Sequence, residues 1–237
     1  MSSSDSSALL SATFHEEGYE HLVELVHQRD ADARRRLRSL DLALYDADGK
    51  LLVSIPVDPG QEILDLGALV AAHAPGAGRI MAAFEARYDE RVFPYRPHHY
   101  AYLHRRGSSL PSLYYAVNAV LGGVPDRIGA TGLNNFETYL FRPRGASERH
   151  SVLIGNLSRF APGEAQISTY YAGARRTSEV TLGPKAHVEV ALDPEHAGAR
   201  LERVEIKAVF RLASYVVGRR TPSGELVIFD HLFTYFK

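Results

Sequence analysis

The chain has 237 residues, of which 45% are hydrophobic and 23% charged, and its formal net charge at pH 7 is −1. This composition is that of a folded globular protein with one large or two small domains, and it disfavours general electrostatic binding to nucleic acid. The sequence contains no cysteine, which excludes disulfides, thiolate nucleophiles and cysteine-ligated metal centres.

The first residues read MSSSDSSALLSA and contain neither a basic start nor a long apolar core. We therefore expect residues 1–12 to form a disordered tail rather than a secretory signal. No apolar stretch reaches the length of a membrane-spanning helix, so we predict a cytoplasmic protein without a membrane partner.

Residues 13–121 contain strand patterns joined by turns. Alternating strands are predicted at 37–45, 51–57 and 79–86, and Asp48-Gly49 is typical of a hairpin turn. Segment 19–26 fits a helix or a strand, with the strand favoured by comparison with the second half of the chain. Segment 62–72 has the apolar spacing of one short helix over a sheet end.

Residues 134–237 show the period-two alternation of β-strands more clearly. In 203–210, Val204, Ile206 and Ala208 share one face and charged residues occupy the other, as in antiparallel sheets with one solvated side. Further strands are predicted at 151–157, 165–171, 178–182, 186–192, 213–217 and 226–229. Pro222-Ser223-Gly224 is predicted to turn the last hairpin.

The predicted fold is mainly β, with two antiparallel β-sandwich-like modules at 13–121 and 134–237, one or two short helices, and a glycine-rich connection at 122–133. The spacing from Tyr45 to Phe84 equals that from Tyr171 to Phe210. This repeat predicts a tandem duplication. Two unrelated β-modules remain the alternative, because the halves share almost no sequence identity.

The densest group of polar aromatic residues lies at 95–106, reading YRPHHYAYLHRR. If 98–104 is a strand, its alternation places four rings on one face: His98, Tyr100, Tyr102 and His104. Tyrosine and histidine combine a flat ring with a hydrogen-bonding tip, so such a row suits a ligand or a partner surface. A structural surface covered by the rest of the protein is the plainer interpretation.

A second candidate group lies in the strand predicted at 134–141. Alternation places Asn135, Glu137 and Tyr139 on one face, where an amide, a carboxylate and a phenol could line a pocket. Glu137 would be a general base if burial raised its pKa. A solvated glutamate is the simpler alternative.

The main alternative function is a β-fold enzyme that uses His98 or His104 with Glu137 in a pocket, either without a metal or with a cupin-like metal ion. Along an extended strand, His98 and His104 would lie about 20 Å apart, which is too far to chelate one ion. The adjacent His98 and His99 point to opposite faces, and no glutamate follows at cupin spacing. We predict no metal site and no cofactor, and the sequence assigns no catalytic residue.

Arginine clusters at 34–38, 105–106, 175–176 and 219–220 lie near predicted strand ends or turns. If these ends met on one rim, they would form a cationic patch for an anion or nucleic acid, which is the second alternative function. Charged turns also serve solubility alone.

The leading hypothesis is a non-catalytic binding or scaffold protein that holds a small ligand, a sugar or a protein partner on the Tyr/His face. The chain could also form a homo-oligomer through this face. Nucleic acid is disfavoured as a partner. The predicted ligand-binding residues are His98, Tyr100, Tyr102, His104, Asn135, Glu137 and Tyr139.

Overall fold

A computed structural model describes residues 7–25, 31–58, 60–88, 99–120, 135–141, 148–192 and 200–234. The chain divides into two compact units, Met1–Gly123 and Val124–Lys237. The division falls inside the glycine-rich stretch predicted as a connection, and that stretch (122–133) lies outside the described residues. Both units consist mainly of antiparallel strands, so the predicted fold class is confirmed.

The described part of the first unit contains nine strands and two short helices. They are β1 (Ser7–His15), β2 (Tyr19–Glu24), α1 (Ala31–Arg36), β3 (Leu37–Tyr45), β4 (Leu51–Pro56), β5 (Ile63–Asp65), α2 (Leu66–His73), β6 (Ile80–Tyr88), β7 (Tyr100–Arg105), β8 (Leu113–Ala116) and β9 (Asn118–Val120). The predicted hairpin turn joins β3 to β4. Gly49 adopts a φ of 84° there, a left-handed conformation that favours glycine.

The described part of the second unit contains nine strands. They are β10 (Asn135–Leu140), β11 (Glu148–Gly155), β12 (Gly163–Tyr171), β13 (Ala174–Leu182), β14 (His187–Ala191), β15 (Leu201–Ala208), β16 (Ala213–Arg220), β17 (Leu226–His231) and β18 (Phe233–Thr234). The turn predicted at 222–224 joins β16 to β17, and it is closed by the Gly224 amide, which donates to the Arg220 carbonyl (2.8 Å).

In the part of the chain that the structure describes, each unit contains one five-stranded and one four-stranded sheet. The first unit has the orders β4-β3-β6-β1-β9 and β5-β2-β7-β8, and the second has β13-β12-β15-β10-β18 and β14-β11-β16-β17. Counted from the first strand of each unit, the two sets of orders are the same. The halves therefore share one topology, as a duplicated module would, while duplication itself stays a prediction.

The two pairs of aromatic residues that predicted the repeat occupy equivalent strand positions only at their first member. Tyr45 and Tyr171 end the equivalent strands β3 and β12, but Phe84 lies within β6 whereas Phe210 follows β15. Strand pairing differs as well, because Tyr45 pairs with Met81, 36 residues further along the chain, whereas Tyr171 pairs with Leu201, only 30 residues further along. The similarity of the halves thus lies in strand order rather than in matched aromatic residues.

The core of the second unit forms between its two sheets. Ile167 and Ile206 come from the five-stranded sheet and Val152 and Val216 from the four-stranded sheet, and all four are buried in one cluster. Burial of each such side chain contributes roughly 1.5–3 kcal/mol. The alternation read from 203–210 therefore does mark a one-sided strand, β15, with Ile206 at its centre.

The interior of the first unit mixes apolar and polar side chains. Leu40, Leu42 and Leu44 alternate inward along β3 and are buried. The same interior contains Thr13 from β1 and His21 from β2, which are also buried.

Residues 7–12, predicted as a disordered tail, instead form the first part of β1, and that prediction is wrong for them. Strand β1 pairs with β6 over its whole length and with β9 on its other side. Ser11 and Ala12 are buried there. Small residues leave no large alternating side chains in the sequence, so the strand pattern was hidden.

The ambiguous segment at 19–26 contains strand β2, and the helix predicted within 62–72 is α2. The Asp65 carboxylate caps α2 by accepting from the Ala68 amide (2.8 Å). Gly67 allows α2 to approach β2, because a Cβ atom there would lie 3.3 Å from the His21 amide nitrogen. Helix α1 was not predicted, and its last turn carries Arg34, Arg35 and Arg36.

In the described part of the chain, both helices are too short to cross a membrane.

Candidate functional site

The row of rings predicted from alternation lies on strand β7. Tyr100, Tyr102 and His104 alternate with the buried Ala101 and Leu103. The three rings therefore lie on the side of the four-stranded sheet that is turned away from the interior. His98, the fourth predicted member, lies outside the described residues.

Neighbouring strands extend this row into a wider surface. Strand pairing places Leu22 and Tyr114 in line with Tyr102, and Glu24 and Ile63 in line with Tyr100. We call this surface the aromatic face; its residues are Leu22, Glu24, Ile63, Tyr100, Tyr102, His104 and Tyr114. Two large hydrophobic side chains on it are widely exposed, Tyr114 at 62% and Ile63 at 57%.

The rings of the aromatic face are stacked in two pairs. Tyr100 and Tyr114 are nearly parallel, with ring centroids 5.6 Å apart and an interplanar angle of 5°. Tyr102 and His104 stack at 6.3 Å and 29°. Offset stacking of this kind stabilises ring pairs beyond the area they bury.

Hydrogen bonds hold the polar ends of these rings. The Ser112 hydroxyl donates to the Tyr102 hydroxyl (2.9 Å) and lies 3.3 Å from His104 Nδ1. The Tyr114 hydroxyl donates to Glu24 Oε2 (3.1 Å). These hydrogen bonds restrict the orientation of Tyr102, His104 and Tyr114.

The other predicted site residues lie in the second unit. Asn135, Glu137 and Tyr139 share one face of β10, as predicted, and this face is directed at the core: Glu137 pairs with Ile206 and Tyr139 with Val204. Glu137 has 0% of its surface exposed, so it lies within the interior. Asn135 and Tyr139 are partly buried.

Glu137 is held by polar groups inside the unit. Its Oε1 accepts from Asn135 Nδ2 (3.3 Å) and lies 3.4 Å from Arg211 Nε. Burial raises the pKa of Glu137, while the Arg211 charge and hydrogen bonds from Ser214 and Asn135 act in the opposite direction. The raised pKa is the property that a general base would need, but this carboxyl group lies in a buried ion pair.

A cavity of about 390 Å³ in the first unit is a further concave site. His15 and Tyr19 form part of its wall, α2 contributes Val70, and Glu17 and Arg106 also line it. Its volume lies in the range of roughly 300–1,000 Å³ that is usual for small-molecule pockets. The sequence pattern did not single out His15, because it lies outside the group of polar aromatic residues at 95–106.

His15, in the wall of this cavity, stacks against His21 in the interior of the first unit. The His15 and His21 rings lie 5.6 Å apart at 19°. Burial lowers the pKa of His21 to about 3, with the nearby His15 acting in the same direction, and burial also lowers the pKa of His15. Both rings are therefore neutral near pH 7, and His21 Nε2 lies 3.0 Å from the Tyr115 hydroxyl.

The predicted arginine rim is distributed over both units. Arg34, Arg35, Arg36, Arg38, Arg105 and Arg106 belong to the first unit, and Arg175, Arg176, Arg219 and Arg220 to the second. Arg175 contacts the Tyr170 ring (5.4 Å) and Arg219 Nε lies 3.9 Å from Glu189 Oε1. At least these two arginines therefore make contacts within their own unit.

Among the described residues, no three His, Asp or Glu side chains come together as a metal-binding group. No model of a known protein family matches the chain, and no curated protein sequence matches it at a significant level.

Proposed function

We propose that this protein binds carbohydrate on the aromatic face, without catalysing a reaction on it. The observation that carries the proposal is the stacked pair of Tyr100 and Tyr114, in which Tyr114 keeps 62% of its surface exposed. Together the two rings form an aromatic platform, because Tyr114 keeps most of its surface exposed beside Tyr100.

A sugar ring matches this platform in shape and chemistry. One face of a pyranose ring presents C–H groups that can lie flat against an aromatic ring, while its hydroxyls point outward. Glu24, which accepts from the Tyr114 hydroxyl, supplies carboxylate oxygens beside the platform. Hydrogen bonds from sugar hydroxyls to a carboxylate are stronger than those between neutral groups.

The charge of the face favours a neutral ligand over an anion. Strand pairing places Glu20 and Glu24 of β2 on the same side as the rings. The outward positions of the described strands β2, β5, β7 and β8 contain no lysine or arginine. Phosphate and nucleic acid would therefore meet negative charge on this surface.

The equivalent surface of the second unit differs in exposure. Its four-stranded sheet carries Tyr215 and Phe229 stacked at 4.9 Å, and both are buried. We also propose that the two halves arose by duplication. The two aromatic pairs then lie on corresponding sheets, and only the pair in the first unit is exposed. This difference is what a specialised binding face in one half would produce.

The test compares Tyr114→Ala and Tyr100→Ala with wild-type protein, first on a glycan array and then by calorimetric titration with the best oligosaccharide. We expect at least about tenfold weaker binding for each variant, because a lost stacking contact is worth about 1.4 kcal/mol. Phe160→Ala is the matched control, since Phe160 is an aromatic residue of the second unit that is 70% exposed.

Absence of any glycan binding at millimolar ligand, or binding that Tyr114→Ala leaves unchanged, would refute the proposal. If the protein binds no glycan but binds a protein partner that Tyr114→Ala releases, the ligand of the aromatic face is a polypeptide and not a sugar. Melting temperatures close to wild type are required of both variants, because the rings lie outside the core.

A further inference from the structure

Among the described strands, β13 lies at one edge of the five-stranded sheet in the second unit. Its neighbour among the described strands is β12, with which it pairs from Ala174 to Leu182. The opposite side of a strand at a sheet edge presents backbone N–H and C=O groups that another strand can bind. This edge runs over nine residues and contains neither proline nor a register shift.

Both faces of β13 are accessible along most of its length. Residues 174–179 are all exposed, and burial begins only towards Leu182. An additional strand could therefore lie beside this segment without entering the packed interior.

We propose that β13 pairs antiparallel with β13 of a second copy of this chain, with the two-fold axis at Thr177. In a two-fold antiparallel pair, opposing residues must lie on the same face of the sheet. This condition is met only when the two-fold axis passes through a residue, which then lies opposite its own copy. The residue before it then lies opposite the residue after it in the other chain. Centring on Thr177 places Arg175 of each chain opposite Glu179 of the other.

This register is complementary in charge. Arg175, Thr177 and Glu179 share the outer face of β13, opposite Tyr170, Ser168 and Gln166 of β12. The dimer would contain a Thr177 pair at its centre and an Arg175–Glu179 pair on each side, and both kinds of cross-strand pair are stabilising. Centring on Ser178 instead would leave Arg175 opposite Thr181, without a complementary charge.

Contacts within the chain already hold Arg175 on this face. Its Nη2 donates to Ser168 Oγ (3.0 Å), and its guanidinium lies over the Tyr170 ring at 5.4 Å. Arg203 covers the same ring at 4.0 Å, so the outer face beside β13 is ordered by stacked side chains. The arginine that would meet Glu179 of the other copy is thus partly preorganised.

The contact would be small, because it joins only residues 174–180 of each copy. It lies below the standard interface size of roughly 1,200–2,000 Å², so the dimer should be weak and concentration-dependent. We expect a dissociation constant on the order of 10–100 μM, which sedimentation equilibrium of the full chain can measure.

The charge pattern is tested with Arg175→Glu, Glu179→Arg and the double exchange. Each single change places like charges opposite each other and should weaken dimerisation at least about tenfold, whereas the double exchange should return it to within about threefold of wild type. Arg176→Glu is the matched control, because Arg176 lies on the other face of β13 and should have little effect. A melting temperature near wild type shows that a variant is folded.

The register is tested by Thr177→Cys, which creates the only cysteine in the chain. Mild oxidation should cross-link Thr177→Cys into dimers much faster than Ser178→Cys, whose side chain lies on the opposite face. A chain that stays monomeric to 1 mM overturns the proposal. Dimerisation that Glu179→Arg leaves unchanged, or equal cross-linking at the two positions, also overturns it.

Discussion

The Tyr115 hydroxyl lies 3.0 Å from His21 Nε2 and 2.7 Å from Thr13 Oγ1, inside the first unit. Tyr115 belongs to β8 and His21 to β2 in the four-stranded sheet, whereas Thr13 belongs to β1 in the five-stranded sheet. One phenol oxygen therefore connects the two sheets through buried hydrogen bonds. Buried polar groups are costly unless they are paired, so this oxygen is central to the polar part of the interior.

Replacing Tyr115 with phenylalanine should destabilise the protein by roughly 2 kcal/mol. The ring stays, but His21 Nε2 and Thr13 Oγ1 lose the hydroxyl between them, and each buried group left without its partner costs about 1–3 kcal/mol. Urea unfolding monitored by circular dichroism measures the change. Tyr114→Phe is the control, because its bond to Glu24 is exposed and its loss should cost well under 1 kcal/mol. Equal losses in the two variants would contradict the central position of Tyr115.

The buried imidazole of His21 should make the protein less stable in acid. The pKa of His21 is about 3 in the folded chain and 6.5 without the fold, so unfolding takes up a proton between these values. Stability should then fall as the pH drops from 6.5 towards 3, by about 1.4 kcal/mol per pH unit for this one group. His21→Gln should remove that slope, and its unfolding free energy is measured across the same pH range.

His73→Gln provides the control for the acid experiment, because His73 is an exposed histidine on α2. It should retain the wild-type slope. The prediction fails if His21→Gln keeps a slope equal to that of wild type and His73→Gln. His15 also has a lowered pKa, so the His21 variant should keep part of the pH dependence.

The one-sided strands were predictable because their chemistry is local. Along β7, Ala101 and Leu103 alternate with polar rings, and this pattern alone placed Tyr100, Tyr102 and His104 on one side. Alternation could not supply Tyr114 or Ser112, whose contacts with these rings depend on how β8 pairs with β7. The row was therefore visible in the sequence, but the stacked surface was not.

Buried polar residues escaped prediction for a related reason. His21 and Glu137 occupy alternating positions just as surface residues do, and only distant partners make their burial tolerable. For His21 the partner is Tyr115, and for Glu137 it is Arg211. Strand β1 was missed because residues 7–12 contain mainly serine and alanine, which carry little hydrophobic signal.

Glu137 should produce the opposite pH effect to His21. Burial raises the pKa of its carboxyl group above the ordinary 4.5, so the folded chain binds the proton more tightly than the unfolded chain. The contribution of Glu137 to stability should therefore decrease as the pH rises from 4.5 through the folded pKa. Thermal unfolding of wild type and Glu137→Gln from pH 4.5 to 8 should show the wild-type advantage shrinking. An advantage that grows with pH would contradict it, and Glu164→Gln, at an exposed position of β12, is the control variant.

Asn156 gives the sharpest test of the interior of the second unit, because its side-chain amide binds two other backbone segments, one at Ala161 and one at Leu182 and Gly183. Its Nδ2 donates to the carbonyls of Ala161 (2.9 Å), Gly183 (3.0 Å) and Leu182 (3.3 Å). Asn156→Asp keeps the shape but replaces this donor with a carboxylate oxygen facing three carbonyl oxygens. We expect destabilisation of about 3 kcal/mol or more, measured by urea unfolding at pH 7.

The same exchange at a partly exposed site separates burial from charge. Gln166→Glu on β12 also converts an amide to a carboxylate, but its side chain is only half-buried, so its cost should stay within about 0.5 kcal/mol. Lowering the pH towards 4 should recover part of the stability of Asn156→Asp, because a protonated carboxyl can donate to one of the carbonyls again. A loss that does not exceed that of Gln166→Glu would show that the amide of Asn156 does not hold these segments together.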